Sequence, residues 1–250
     1  GGIASPEHVE QYARAGADLF GVGSALTGLD SGQFANYMAE LERGVDTGAG
    51  GAGYGRSCET TVGMDYLRTH VQGRVDYDES LFKLILEALP GDYADGDLAG
   101  RFFFLCLPGT GEKPFAVFAA SERSIVVRVV GRFTQALAGL SAGAEILVRG
   151  PYGRGVPSFE GSTIVYVAGG TGIASILEIA RKLGAGNRQV FLLGARTRTH
   201  LFDLDKFERL GPVHLATDDG SLGHHGYVPD LLPAVAAGRE GEPLVFINCG

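Results

Sequence analysis

The chain has no apolar run long enough to cross a membrane, no basic tract, and no cysteine pair in Cys-x-x-Cys spacing. The first absence argues against a helical membrane protein. The second, with a formal net charge of −8 from 21 Lys+Arg against 29 Asp+Glu, removes the electrostatic footprint of a nucleic-acid binder. Cys58, Cys106 and Cys249 supply neither an even disulfide framework nor a metal-ligand spacing, which fits a reducing cytoplasm. Cys106, within the run Arg101-Phe-Phe-Phe-Leu-Cys-Leu107, is expected as a buried strand residue. There is no initiator methionine, signal peptide or internal repeat, and the last apolar run, Leu244–Asn248, delivers Cys249-Gly250 directly. Both ends are therefore expected to be cut from a longer polypeptide.

Glycine is abundant instead, and its placement divides the chain. Residues 1–45 read as loop, helix from Pro6 to Ala15, strand from Asp18 to Val22, loop, and helix from Ser31 to Arg43, with Ser5-Pro6 suited to a helix start. Asp46-Thr-Gly-Ala-Gly-Gly-Ala-Gly-Tyr-Gly55 is a flexible linker, so residues 46–57 mark a boundary. Residues 58–157 hold short strand-like runs: Gly73–Asp76, Ser80–Leu86, Gly100–Leu107, Phe115–Ala119, Ser124–Val130 and Glu145–Arg149. One short helix, Thr134–Leu140, interrupts them. Close turns between many short strands predict a small antiparallel barrel.

Residues 158–250 alternate instead. Strands at 163–168, Gln189–Gly194, Val213–Ala216 and Leu244–Asn248 are separated by helices at 173–183, Leu204–Leu210 and about Val228–Ala237. That order predicts a parallel sheet covered by helices, with ligands at the strands' carboxyl ends. The sharpest unit is Thr163-Ile-Val-Tyr-Val-Ala-Gly-Gly-Thr-Gly-Ile-Ala-Ser175. A buried strand emptying into glycines at a helix start offers backbone N–H groups and a helix dipole to a pyrophosphate. Ala168–Ser175, Gly194–Arg198, Ala216–Ser221 and Cys249-Gly250 all fall at the same edge, which favours a dinucleotide site over a plain structural turn.

An antiparallel barrel followed by a nucleotide-binding α/β domain resembles the ferredoxin–NADP reductase family, over about residues 60–250. Lys113-Pro-Phe-Ala-Val117 stands where that family has an Arg-Pro-x-Ser-Ile segment along the flavin ring, so Lys113, Pro114, Phe115 and Ala116 are implied FAD contacts. Val127-Arg-Val-Val-Gly-Arg-Phe-Thr134 is similar to the segment holding the flavin diphosphate, implying Val127, Arg128, Val129, Phe133 and Thr134. Arg128 supplies charge, and the N–H groups of Phe133 and Thr134 open a helix. Ile146-Leu-Val-Arg-Gly-Pro-Tyr-Gly153 resembles the exit strand of the flavin barrel, where Tyr152 either stacks on flavin or closes the barrel.

Thr217-Asp-Asp-Gly-Ser-Leu-Gly-His-His-Gly-Tyr-Val228 is the most specific string, similar to the electron-transfer subunit of class 1B dihydroorotate dehydrogenases and their NADH-ferredoxin relatives. The implied NAD residues are Gly169, Gly170, Thr171, Gly172, Arg196, Asp218, Asp219, Cys249 and Gly250, the last two bordering the nicotinamide. Arg196 and Arg198 either meet a 2′-phosphate or are loop charges, and the resemblance favours NAD. Asp218 and Asp219 are expected to form a turn and position cofactor, since hydride transfer needs no carboxylate pair. Adjacent His224 and His225 point to opposite sides of an extended segment, so no metal site is expected.

Gly1-Gly2-Ile-Ala-Ser-Pro-Glu and Ala15-Gly-Ala-Asp-Leu-Phe-Gly-Val-Gly-Ser-Ala25 resemble the last strands of a flavin-binding (β/α)₈ barrel. There Gly1, Gly2, Gly23 and Ser24 match the FMN phosphate loops or remain as turn residues of a remnant. The fold class implied is mixed: a (β/α)₈ remnant, then a ferredoxin reductase-like antiparallel FAD barrel and a parallel α/β NAD domain. The function implied is electron transfer between FAD and NAD, serving dihydroorotate oxidation to orotate in pyrimidine biosynthesis. The implied partner is the catalytic dihydroorotate dehydrogenase barrel, fused or separate, in a hetero- or homo-oligomer. A [2Fe–2S] cluster is expected beyond the chain end. Two other readings stand beside it: a subunit of an NADH-ferredoxin or sulfide-type reductase, and a docking scaffold with a lapsed flavin site. Ala116 brings no hydroxyl to flavin N5, and Lys113 keeps charge without the bidentate geometry of Arg.

Overall fold

The computed structural model describes residues 66–236 and 243–250. The (β/α)₈ remnant at 1–45, with Gly1, Gly2, Gly23 and Ser24, the linker at 46–57, and Cys58 lie outside the described residues. Of the described residues, 66–236 and 243–247 belong to one compact unit.

Six strands build an antiparallel sheet: β1 (Leu67–Asp76), β2 (Leu81–Leu86), β3 (Phe102–Leu107), β4 (Gly111–Ala116), β5 (Ser124–Arg128) and β6 (Glu145–Tyr152). Their order is β4-β3-β6-β1-β2-β5, and the two end strands β4 and β5 approach each other, so the sheet curls toward a barrel. Alternating residues fill it: Phe82, Leu84 and Leu86 from β2, Phe103, Leu105 and Leu107 from β3, Ile125 and Val127 from β5, Ile146 and Val148 from β6. Each such side chain contributes about 1.5–3 kcal/mol by leaving water.

The same two-residue period corrects the expectation for Cys106. It shares the outer, half-buried face of β3 with Phe102 and Phe104, while its neighbours Leu105 and Leu107 take the core. The expected strand at Phe115–Ala119 is also shifted, because β4 ends at Ala116. Val117–Ala120 are buried, but only Ala119 bridges a strand, at Ser124. The helix expected from Thr134 begins earlier, as α1 (Arg132–Ala138).

The second sheet contains β7 (Thr163–Gly169), β8 (Arg188–Ala195), β9 (Val213–Thr217), β10 (His224–His225) and β11 (Leu244–Cys249), in the order β10-β9-β8-β7-β11. The ladders joining β7 to β8, β8 to β9 and β9 to β10 are parallel. Near-continuous burial along β7 and β8 is what coverage on both faces requires. Helix α2 (Ile173–Leu183) follows β7 with the bounds its apolar spacing predicts, and packs Ile173, Ile176, Leu177, Ala180 and Leu183 inward. Helix α3 (Leu204–Glu208) follows β8. The segment after β10 is a 3₁₀ turn at Val228–Leu231 running into α4 (Leu232–Ala236), not one continuous helix. The two-residue strand β10 had no apolar alternation to announce it.

Candidate functional site

Parallel register fixes one row across the second sheet. Gly169 lies opposite Gly194, Gly194 opposite Ala216, and Ala216 opposite His224. The carboxyl ends of four strands therefore stand level, and the strand order reverses at β7, the position where open α/β sheets leave a crevice.

At β7 the chain passes through a 3₁₀ turn, Gly170–Gly172, directly into α2. Gly170 has φ +55, a left-handed conformation that glycine adopts without cost. A Cβ added at Gly169 or Gly170 would meet nothing within 4 Å, so the turn borders open space. Thr171 is exposed while Gly172 is buried at the base of the helix. An unobstructed glycine backbone at the start of an 11-residue helix fits a dinucleotide pyrophosphate.

The loops after β8 and β9 are stitched together. Asp218 N–H donates to Ala195 C=O at 3.1 Å and Asp219 N–H to Arg196 C=O at 3.2 Å. The Ser221 hydroxyl donates to Asp219 Oδ1 at 2.6 Å and accepts from Arg198 N–H at 2.9 Å. The Ser221 hydroxyl and its backbone N–H, both on the Asp219 carboxylate, hold that carboxyl below its ordinary pKa. Asp219 thus forms a turn, its Oδ1 accepting both the hydroxyl and the N–H of Ser221, as the Asp-x-Ser spacing would announce. Thr217 Oγ1 donates to Leu222 C=O at 2.9 Å and accepts Leu222 N–H at 3.0 Å, closing the turn. Arg196 and Arg198 are exposed on this stitched edge. Ser221 and Thr217 are the contributors that sequence reading had not singled out.

His224 Nε2 lies 3.4 Å from Asp230 Oδ2, whereas the His225 ring sits over Gly220, where an added Cβ would approach within 3.0 Å. Cys249, half-buried, ends β11, and Gly250 follows.

On the first sheet, Lys113, Pro114, Phe115 and Ala116 are half-buried along β4. The Phe115 ring stacks on Phe133 with centroids 6.2 Å apart and planes at 28°. Helix α1 opens after Gly131, and Thr134 Oγ1 accepts the N–H groups of Val130 at 2.9 Å and Gly131 at 3.1 Å. Gln135 N–H is the first to bond back, to Gly131 C=O at 2.9 Å, as the geometry of a helix start requires. Arg128 and Val129 are half-buried beside that start. The Val127 side chain is fully buried in the barrel core and the residue pairs with Phe82, because strand alternation turns it inward and leaves Arg128 half-buried.

Tyr152 packs against Phe102 and Phe104, with centroids 5.9 and 5.6 Å away, and accepts a hydrogen bond from Arg149 Nη1 at 2.7 Å. Arg149 also forks onto Glu112, at 2.9 Å from Nε and 2.5 Å from Nη2. That fork holds the Glu112 carboxyl below its usual range. Tyr152 therefore closes the barrel's outer wall.

These two sheets make the fold ferredoxin reductase-like. The solved structure of an NADH-dependent reduced ferredoxin-NADP oxidoreductase is 27% identical, with a TM-score of 0.60, covering 72% of this chain and 67% of that one. Ferredoxin NADP⁺ reductase of Neisseria gonorrhoeae, solved with FAD and NADP, has a TM-score of 0.58 at 18% identity, covering 74% of this chain and 85% of that one. In sequence, the chain is 42% identical over 153 residues to a probable dihydroorotate dehydrogenase B (NAD⁺) electron transfer subunit of Pyrococcus abyssi, 61% of this chain and 59% of that protein. The same-named subunit of Methanocaldococcus jannaschii is 38% identical over 154 residues, 60% of this chain and 57% of that protein. The chain thus spans under two thirds of the length of these relatives. No family model matches it. Among the described residues no helix is long and apolar enough to cross a membrane, and no group of three or more His, Cys, Asp or Glu is placed to hold a metal.

Proposed function

We propose that this chain is the electron-transfer module of an NAD-linked dihydroorotate dehydrogenase, holding FAD on the antiparallel sheet and NAD on the parallel one. The observation that carries it is the level row of strand ends beginning at Gly169, with an open glycine turn feeding α2. The relatives' names supply the reaction it would serve. FAD, when bound, supplies hydride exchange with nicotinamide.

The chain's own residues then bind and orient. Gly169–Gly172 N–H groups and the α2 dipole hold the NAD pyrophosphate; Arg196, Asp218 and Asp219 shape the edge beyond it. Phe115 and Ala116 line the flavin ring, Lys113 and Arg128 oppose its diphosphate charge, and the N–H groups of Phe133 and Thr134 face the phosphate oxygens. In this assignment the partner is the catalytic FMN barrel, to which residues 1–45 are related, with Gly1, Gly2, Gly23 and Ser24 at its phosphate. An iron–sulfur centre held by residues outside this sequence would supply one-electron transfer between the two flavins, in a cytoplasmic oligomer. The domains divide at 46–57 and near 157.

The likeness to the NADH-dependent reduced ferredoxin-NADP oxidoreductase favours one second reading, a subunit that exchanges electrons with ferredoxin. Titration with FAD followed by flavin fluorescence tests the primary claim. Saturable quenching at one equivalent supports it, and no uptake contradicts it. Reduction of added ferredoxin by NADH would favour the second reading.

A further inference from the structure

Helix α2 buries a carboxylate that stands on its polar face. Glu178 is 1% exposed, on the helix whose first turn is the candidate pyrophosphate turn. Both of its oxygens reach beyond its own helix. Oε2 accepts the N–H of Gly96 at 2.7 Å and Oε1 the N–H of Ala120 at 3.0 Å, both from loops joining strands of the antiparallel sheet. Arg181, one turn on, donates from Nη1 to Glu178 Oε1 at 2.9 Å and to Asp95 Oδ1 at 2.7 Å. Asp95 in turn accepts Ser121 N–H at 3.2 Å. The fit is close on the other side too. Gly96 has φ +91, and a Cβ there would stand 3.0 Å from the backbone nitrogen of Lys182. Lys182 Nζ reaches Val156 C=O at 3.0 Å. One face of α2 is therefore pinned at 178, 181 and 182 onto three segments of the flavin-side fold.

We propose that Glu178 is a positioning residue. By accepting two backbone N–H groups from the antiparallel-sheet side, it sets the distance between the nucleotide turn at the start of α2 and the flavin face. The inference rests on the FAD–NAD assignment above. From Gly172 to Glu178 the helix runs about 9 Å, and a helix is stiff over that length, so an anchor at 178 is an anchor of the turn. Stability alone gives little reason for a charge here, since an apolar side chain of similar volume is often as stable as a buried ion pair. Two buried N–H groups that need one acceptor in one orientation give a stronger reason. Hydride transfer is steep in donor–acceptor distance, and a misplacement of about 1 Å can cost on the order of 100-fold in rate.

Glu178→Gln in the full chain tests it. The amide keeps the volume, and one of its two terminal atoms becomes a donor facing a donor. Stopped-flow reduction of bound flavin by NADH should slow about 10-fold or more, with the Kd for NADH changed no more than about 3-fold. A Glu178→Gln protein with a lowered melting temperature but unchanged reduction rate overturns the proposal, because a purely structural role does just that. Where Glu178→Gln fails to fold, Gly96→Ala perturbs the same contact from the other side and is read the same way. Wild-type protein that binds no flavin removes the FAD–NAD assignment instead. The clamp is then judged by amide hydrogen exchange. Faster exchange in Glu178→Gln at Gly96, Ala120 and Gly170–Gly172 upholds it, and an unaltered Gly170–Gly172 turn refutes it.

Discussion

Phe115, on the strand assigned to the flavin ring, stacks on Phe133, the second residue of the helix assigned to the flavin diphosphate, with ring centroids 6.2 Å apart. In the proposed FAD assignment these two rings in contact would stand at the two ends of one extended ligand. Phe133 is 7% exposed and belongs to the barrel core. Phe133→Ala should cost about 3–5 kcal/mol in urea unfolding, and under folding conditions FAD affinity should fall with it. Affinity unchanged in the folded variant would detach α1 from the flavin.

Gly170 is where a substitution tells the two proposed nucleotide sites apart. Its φ of +55 is open to glycine and disfavoured for a β-branched residue, although nothing lies within 4 Å of an added Cβ. Gly170→Val should therefore weaken NADH binding at least about 10-fold, through roughly 1–2 kcal/mol of backbone strain plus the lost approach, and leave FAD binding intact. Isothermal titration with each nucleotide checks both halves.

Asp203 joins the two sheets by charge. Its carboxylate lies 2.5 Å from Lys83 Nζ and accepts the Tyr77 hydroxyl at 2.7 Å, while Lys83 is only 8% exposed. Burial, then the Asp203 charge, pushes the Tyr77 phenol above its ordinary range. Asp203→Ala leaves the buried Lys83 ammonium only the looser Glu122 carboxylate, 3.7 Å away, and should cost up to about 3 kcal/mol. Asp203→Asn keeps an acceptor and tolerates the left-handed φ of +46, so it should cost less. Equal losses in chemical denaturation would contradict the pairing.

The Arg149–Glu112 fork has a pH signature. Arg149 depresses the Glu112 carboxyl in the folded chain, so its stabilisation is fully present above the unfolded carboxylate pKa of about 4.3 and is lost as pH falls through the folded value. The stability gap between wild type and Glu112→Gln should be open at pH 7 and should close toward about pH 3. A gap constant across that range would mean the fork contributes nothing through charge.

The parallel sheet was legible because burial and period coincide there. An apolar run, a glycine turn and an i, i+3, i+4 pattern placed β7 and α2 at their observed residues, apart from one residue more on β7. The barrel was legible as a class and less so in its edges. Val117–Ala120 is apolar enough for a strand, yet Phe118 leaves the sheet to pack edge-on against Phe202, 5.5 Å away. Tertiary aromatic contacts there outweigh strand propensity. Glu178 was invisible for the same kind of reason. On a helical wheel it belongs to the polar face, and only loops 82 and 58 residues upstream, at Gly96 and Ala120, make that face interior. Within the candidate site, the glycine turn after β7 was legible as a local pattern, whereas the inward turn of the Val127 side chain needed the strand's register.

The most direct measurement is the visible spectrum of the FAD-reconstituted chain, followed by anaerobic addition of NADH. Oxidised-flavin absorbance that bleaches on NADH addition is the expected result, and it would establish both nucleotide sites and the transfer between them. Protein that stays colourless after FAD, or yellow protein that NADH leaves unbleached, would contradict an electron-transfer role for this chain.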